Sequence, residues 1–256
     1  MKKGSIKRSA AVLLGVVLTA GLLAGCSSTP AATTQPAATG GGAATNTAAL
    51  TATVSATPTT PQTPSPVSDF RYTVTADTVQ IDMYTGKDTQ VVIPDTIDGK
   101  TVTKLGGGTF AGNHAVISVN VPDSVDEIMS GAFWNCHSLV SVNVPKNVKE
   151  ITETTFQSCH ALPSITLPSG LTTIDVDAFG DCQSLSSIII PSKVISIKDF
   201  AFNYCKLLKS VYFDGNAPEL GENVFRYTPS DLTIYYHANA TGWDAPAWKD
   251  YTLKTW

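Results

Sequence analysis

Residues 125–145 read VDEIMSGAFWNCHSLVSVNVP, and the same spelling returns every 23 residues. In this stretch Val125 and Ile128 precede Ala132-Phe133, Cys136, Leu139, Ser141-Val142 and Val144-Pro145. Six phenylalanines, Phe110, Phe133, Phe156, Phe179, Phe202 and Phe225, keep the register without a slip. Asn113, Cys136, Cys159, Cys182 and Cys205 form a second column. Val116, Leu139, Leu162, Leu185 and Leu208 form a third, and Pro122, Pro145, Pro168 and Pro191 a fourth. A fixed period in the twenties marks a solenoid, whose coils bury their apolar faces only against neighbouring coils. Such a chain offers an extended surface and not a single catalytic pocket.

Within one coil, Val142 and Val144 alternate with Ser141 and Asn143, which predicts a short strand, valines inward, that Pro145 ends. The pair Val125 and Ile128 predicts a second strand or turn, and Ala132-Phe133 a short helical turn over the top of the coil. Stacked coils place equivalent residues about 4.8 Å apart and build a parallel sheet along the axis. The expected fold is a mostly-β solenoid of about six 23-residue repeats.

The N-terminus has a different grammar. Lys2, Lys3, Lys7 and Arg8 precede an apolar run from Ala10 to Leu23, too short for a comfortable membrane span and suited to a secretory leader. The run ends in Leu23-Ala24-Gly25-Cys26, which looks like a bacterial lipobox and implies cleavage before Cys26 and lipidation of that cysteine. The bland alternative is an ordinary leader with a chance cysteine. Residues 1–25 are thus expected to be a lipoprotein signal peptide and 26–68 a tether. Ser27 to Ser68 is 42 uncharged residues dominated by Thr, Ala and Pro, which cannot bury enough apolar surface to fold. It would reach roughly 35–40 Å as a coil and about 130 Å if extended. Losing Lys2, Lys3, Lys7 and Arg8 with the leader leaves 13 Lys and Arg against 21 Asp and Glu. No basic stripe is present, so nucleic acid is not an expected partner, and membrane contact is expected through the lipid alone.

With the columns laid out, the chain resembles the BspA-like leucine-rich repeat proteins over about Phe70 to Trp256. Val91-Val92-Ile93-Pro94, Ile97-Asp98-Gly99-Lys100 and Val102 look like that family's opening unit. Thr233-Ile234-Tyr235-Tyr236 through Gly242-Trp243 to Trp256 looks like its C-terminal closure. The repeat domain is therefore expected at 69–256, with a cap unit at 69–104, repeats at 105–226 and an aromatic cap at 227–256. The departures are Asn113 in place of Cys and Asp214 in place of the coil-ending proline. The resemblance implies a surface adhesin or binding protein, without binding residues that transfer by motif.

Other constellations read as architecture. The cysteine column is expected to be a reduced ladder, because leucine-rich repeats use Asn and Cys interchangeably at this position to bond buried backbone. Disulfides between adjacent coils are the alternative. His114, His137 and His160 would align on one edge, followed by Gln183 and Lys206, a polar turn position with no metal site expected. Gly106-Gly107-Gly108 lacks the Lys-Ser or Lys-Thr of a phosphate loop. The serines Ser118, Ser141, Ser164, Ser187 and Ser210 sit in no G-x-S-x-G elbow. No catalytic set, cofactor or metal is expected. Trp243, Trp248 and Trp256 are expected to seal the open end of the stack.

The expected role is a non-catalytic, lipid-anchored adhesion or binding module, a monomer outside a Gram-positive cell, recognising an extracellular protein or glycan. The alternative is a structural or inhibitory envelope protein that contacts the cell's own wall or another secreted protein. The expected binding face is the outward row Asn120, Asn143, Thr166, Ile189 and Tyr212, apolar toward its Ile189–Tyr212 end.

Overall fold

A computed structural model describes residues 63–256, so the leader, Cys26 and residues 26–62 of the spacer lie outside the described residues. The described part opens with a hairpin of β1 (Phe70–Thr75) and antiparallel β2 (Thr78–Tyr84). Next come β3 (Gln90–Val92) and a second hairpin of β4 (Thr96–Ile97) and β5 (Lys100–Leu105). The coils then alternate a strand on a broad face with one on a narrow face. β6 (Ser118–Asn120) and β7 (Glu127–Ile128) are followed by β8 (Ser141–Val142) and β9 (Glu150–Ile151). β10 (Thr173–Ile174) follows β9 with no broad-face strand between them. β11 (Ser187–Ile190) and β12 (Ser196–Ile197) precede β13 (Ser210–Phe213) and β14 (Glu219–Leu220). β15 (Thr233–Tyr236) and β16 (Thr252–Thr255) close the domain.

Coil-to-coil pairing is parallel throughout, as the period requires. The broad face carries two sheets, β3-β6-β8 and β11-β13-β15-β16, and the narrow face carries β9-β10-β12-β14 and the pairing of β5 with β7. The gap between the two broad-face sheets has a local cause. At the start of each broad-face segment an amide donates to the coil before: Ile117 to Thr89 O, Val140 to Ile117 O, Ser186 to Pro163 O, Lys209 to Ser186 O. The residue in that place in the intervening coil is Pro163, which has no N–H to give to Val140 O. Residues 163–167 consequently form no strand.

The turn edge is not helical, contrary to the sequence expectation. Each coil carries two left-handed residues four apart: Gly131 and Asn135, Thr154 and Ser158, Asp177 and Asp181, Phe200 and Tyr204. A left-handed residue breaks a helix at once. Here it also turns its N–H toward the next coil. Thr154, Phe156 and Ser158 donate to Val176, Ala178 and Gly180, and Asp177, Phe179 and Asp181 donate to Asp199, Ala201 and Asn203. The amides between them close turns within their own coil, as Gln157 N does to Thr154 O. The third side of the solenoid is thus a backbone ladder in its own right. The position needs only a left-handed backbone, so its side chains run from Gly to Phe.

The core is one stack. Neighbouring rings of the Phe110–Phe225 column lie 5.2–5.5 Å apart and within 12° of parallel. Tyr84 and Phe70 continue the column at the N-terminal end. At the other end Trp243 and Trp248 are buried against Phe213, and Tyr251 meets Phe225 edge-on. Trp256 does not join that seal: it is 46% exposed and lies against Tyr212 and His237 on the broad face. Packing also begins upstream of the expected boundary at Asp69. Ser65 is buried, its N–H donates to Val92 O, and its Oγ accepts from Val92 N.

Candidate binding face

Register fixes which side chains share the broad face. Asn120 pairs with Val92, and Ile189, Tyr212, Tyr235 and Lys254 occupy one register row across β11, β13, β15 and β16. In these strands Ile188 and Ile190 point inward and are buried, so Ile189 points out and is 40% exposed. Thr166 is also exposed, but it stands in the strandless segment after Pro163. The five expected residues therefore all lie on the outside, yet not in one unbroken sheet. Asn143 is half-buried and occupied: Nδ2 donates to Val121 O at 2.7 Å, and Oδ1 accepts from Val121 N at 2.8 Å.

The C-terminal end of the row carries an aromatic group larger than the sequence reading gave. The rings of Tyr212 and Tyr235 stack 4.7 Å apart at 14°. Trp256 tilts onto Tyr212 at 4.9 Å and stacks on His237 at the same distance. Tyr235 was within reach of the period, standing 23 residues after Tyr212, but it reads as part of the closure. Trp256 breaks the period, and only the fold brings it back to Tyr212. Because the two tyrosines cover each other's faces, the group presents ring edges outward. Asp214 and His237 flank it 3.7 Å apart.

The cysteine column is a hydrogen-bonded ladder of free thiols. Sγ of Cys136, Cys159, Cys182 and Cys205 donates to the carbonyl of Phe110, Phe133, Phe156 and Phe179 at 3.1–3.3 Å. Burial pushes the Cys136 and Cys205 thiols up to about 12 and holds Cys159 and Cys182 well above their ordinary value. Asn113 does a different job in the same place: its Oδ1 accepts from Ala115 N and Val116 N within its own coil.

The imidazoles of His114, His137 and His160 stack at 4.4 and 4.2 Å. The column ends on an acid that column reading missed, because Asp181 lies outside it: His160 Nε2 is 2.8 Å from Asp181 Oδ2. Burial, then the neighbouring His160 and His114, hold His137 below the usual imidazole range. No group of three or more His, Cys, Asp or Glu converges on a metal-sized point among the described residues.

Parallel coils, an inward Phe stack and a Cys/Asn column define a leucine-rich repeat solenoid. Residues 103–233 match six copies of the BspA type leucine-rich repeat region, and the chain belongs to that family. Among solved structures it is similar to the Treponema pallidum leucine-rich repeat protein, at 30% identity and a TM-score of 0.60 over 66% of this chain and 92% of that one. A leucine-rich cell surface protein of Faecalibacterium prausnitzii is 25% identical, with a TM-score of 0.53 over 68% of this chain and 55% of that one. The pneumococcal vaccine antigen PcpA shares the fold at 21% identity, with a TM-score of 0.54 over 66% and 49% of the two chains. No functionally curated protein matches the chain.

Proposed function

We propose that this protein is a non-catalytic binding module displayed on the outside of a Gram-positive cell, anchored by lipid on Cys26 and spaced from the membrane by the Thr/Ala/Pro-rich tether that follows it. Family membership and the similarity to a protein described as a cell surface protein support the location. The leader and lipobox support the anchor. The observation that carries the binding role is the Tyr212–Tyr235–Trp256 group on the broad face, beside exposed Ile189. Ring edges and hydroxyls on rigid strands suit a protein partner: they give large contact area with little side-chain freedom to lose. A glycan would need an open ring face, and here Tyr235 takes one face of Tyr212, Trp256 leans on the same ring and His237 takes a face of Trp256.

The test uses the soluble chain from Ser27 onward as a monomeric probe, offered first to a panel of host matrix proteins and then to purified bacterial cell wall. Saturable binding to a matrix protein, weakened at least about tenfold by Tyr212→Ala or Trp256→Ala, supports an adhesin. Binding to wall alone shifts the reading to a structural or inhibitory envelope protein.

A further inference from the structure

On the turn edge, one column runs Trp134, Gln157, Gly180, Asn203 and Arg226. Gly180 leaves a gap in that column, and the structure has an open notch of about 410 Å³ there, bordered by Gln157, Asp177, Asn203 and Tyr204. A Cβ on Gly180 would come within 2.7 Å of Asp177 Oδ1, so a side chain there would also displace that carboxylate from the edge of the notch. We propose that this notch is a binding subsite for one ring of a neutral saccharide, separate from the broad face and independent of its reading.

Three features define the ligand. The first is an uncovered aromatic face. Tyr204 stands between Asp181 and Tyr227 in the left-handed column, 41% exposed, and Tyr227 covers one side of its ring at 4.4 Å. The other side faces the Asp181 coil, and the Asp181 carboxylate is drawn away by His160 Nε2 at 2.8 Å and Gln183 Nε2 at 3.0 Å. Tyr204 lines the notch, and the face of its ring away from Tyr227 would suit the C–H face of a sugar ring.

The second feature is unspent hydrogen-bonding capacity of both kinds. Asp177 makes no side-chain hydrogen bond or ion pair among the described residues, although burial and the nearby Glu153 raise its pKa. The Gln157 amide and the Tyr204 hydroxyl are also unengaged among the described residues. Hydroxyl groups, which donate and accept, match that mixture. A carboxylate that accepts from a sugar hydroxyl makes one of the stronger neutral-ligand bonds available.

The third is charge. Asp177, Asp181 and Lys206 all border the notch, and Asp181 is already engaged by His160 and Gln183. The remaining carboxylate and ammonium balance, so the lining selects for neither sign of ligand charge and a neutral ligand meets no net opposing charge.

The experiment is saturation-transfer NMR on the soluble chain from Ser27 onward, with neutral tetrasaccharides of glucose, galactose, mannose and N-acetylglucosamine as probes. At least one should receive saturation through its ring C–H protons. Asp177→Asn should weaken that probe about tenfold, the loss of one charge-assisted bond. Gly180→Gln, which fills the gap as Gln157 does in its own coil, should abolish it. Tyr204→Ala, on the exposed edge, gives a second reading that does not depend on repacking around Gly180. Tyr212→Ala should leave saccharide binding intact, which separates this site from the broad face. Transfer to none of the four probes overturns the proposal, as does transfer that survives both Gly180→Gln and Tyr204→Ala. Binding of a lysine-rich peptide at Asp177 in place of any saccharide overturns it too.

Discussion

Asn143 holds Val121 by both of its backbone polar groups, donating to the carbonyl at 2.7 Å and accepting from the amide at 2.8 Å. A side-chain amide thus occupies ladder bonds that a longer β8 could otherwise have supplied, and β8 ends after Val142. With Pro163 in the next coil, the broad face is interrupted over two successive coils. The polar end of the expected binding row is therefore partly consumed by architecture, which leaves the Ile189–Trp256 end to make contacts.

The interruption should be visible in hydrogen exchange. The amides of Ile165 and Thr166 donate to no backbone carbonyl among the described residues, so they should exchange at least about tenfold faster than those of Ile188 and Val211 in the adjacent sheet. Pro163→Ala restores a donor toward Val140 O and should slow Ile165. Equal protection of the two regions would show that the sheet is continuous in solution.

The four ladder thiols should be inert in the folded chain from Ser27 onward. At about pH 8 a thiol reagent should label none of Cys136, Cys159, Cys182 and Cys205, because burial keeps them protonated far above that pH. Denaturant should expose all four together. Cys159→Ala, which deletes the bond to Phe133 O and leaves a small void, should cost about 1–3 kcal/mol.

Acid should weaken the fold through the histidine stack. His137 binds its proton less readily folded than unfolded, so the unfolded chain holds more protons across that range. Stability then falls as pH drops through the unfolded imidazole value near 6.5 and levels off below the folded one. Burial sets this first, then His160 and His114 on its two faces, with Asp181 opposing them. Melting temperatures at about pH 7.5 and 5 should differ less in His137→Gln than in the parent. An identical difference would remove His137 as the cause.

Left-handed strain offers a stabilising change. Thr154 is β-branched at φ 54° and its hydroxyl bonds to nothing among the described residues. Thr154→Gly relieves about 1–2 kcal/mol of strain against about 0.5–1 kcal/mol of added chain entropy. A melting temperature raised by up to about 4 °C is expected, and a drop would show that the Thr154 side chain contributes packing that outweighs its strain.

Replacing Cys26 by Ala should release the protein into the medium or leave an uncleaved precursor. Membrane partitioning of the variant at the normal mature mass would show that lipid on this cysteine is not the anchor.

The periodic part of the fold was legible because one register serves every column: a single coil, residues 125–145, contains the inward Phe, the Cys that bonds backward and the strand that faces out. What escaped was aperiodic or conformational. Asn143 reads as an outward polar residue, and only geometry shows its amide turned onto Val121. Pro163 was in plain view in the Ile117, Val140, Ser186, Lys209 column, where a missing N–H could have announced the break. The left-handed pairs had a partial signal in Gly108, Gly112 and Gly131, but Phe200 and Tyr204 hide the same conformation behind bulky side chains. Trp256 joins Tyr212 by a return of the chain that no spacing encodes.

The turn-edge ladder has a direction. Every inter-coil bond in it runs from an N–H in one coil to a carbonyl in the next, up to Phe200, Phe202 and Tyr204 donating to Glu222, Val224 and Arg226. Its peptide dipoles are aligned head to tail, so this edge is electrically polar along the solenoid, positive toward the final coil. The amides of Asn223, Phe225 and Tyr227 come last and donate to no backbone carbonyl among the described residues. Two copies meeting there across a two-fold axis would set donors against donors. The ladder that joins coil to coil within one molecule thus works against a two-fold contact between two molecules at this end.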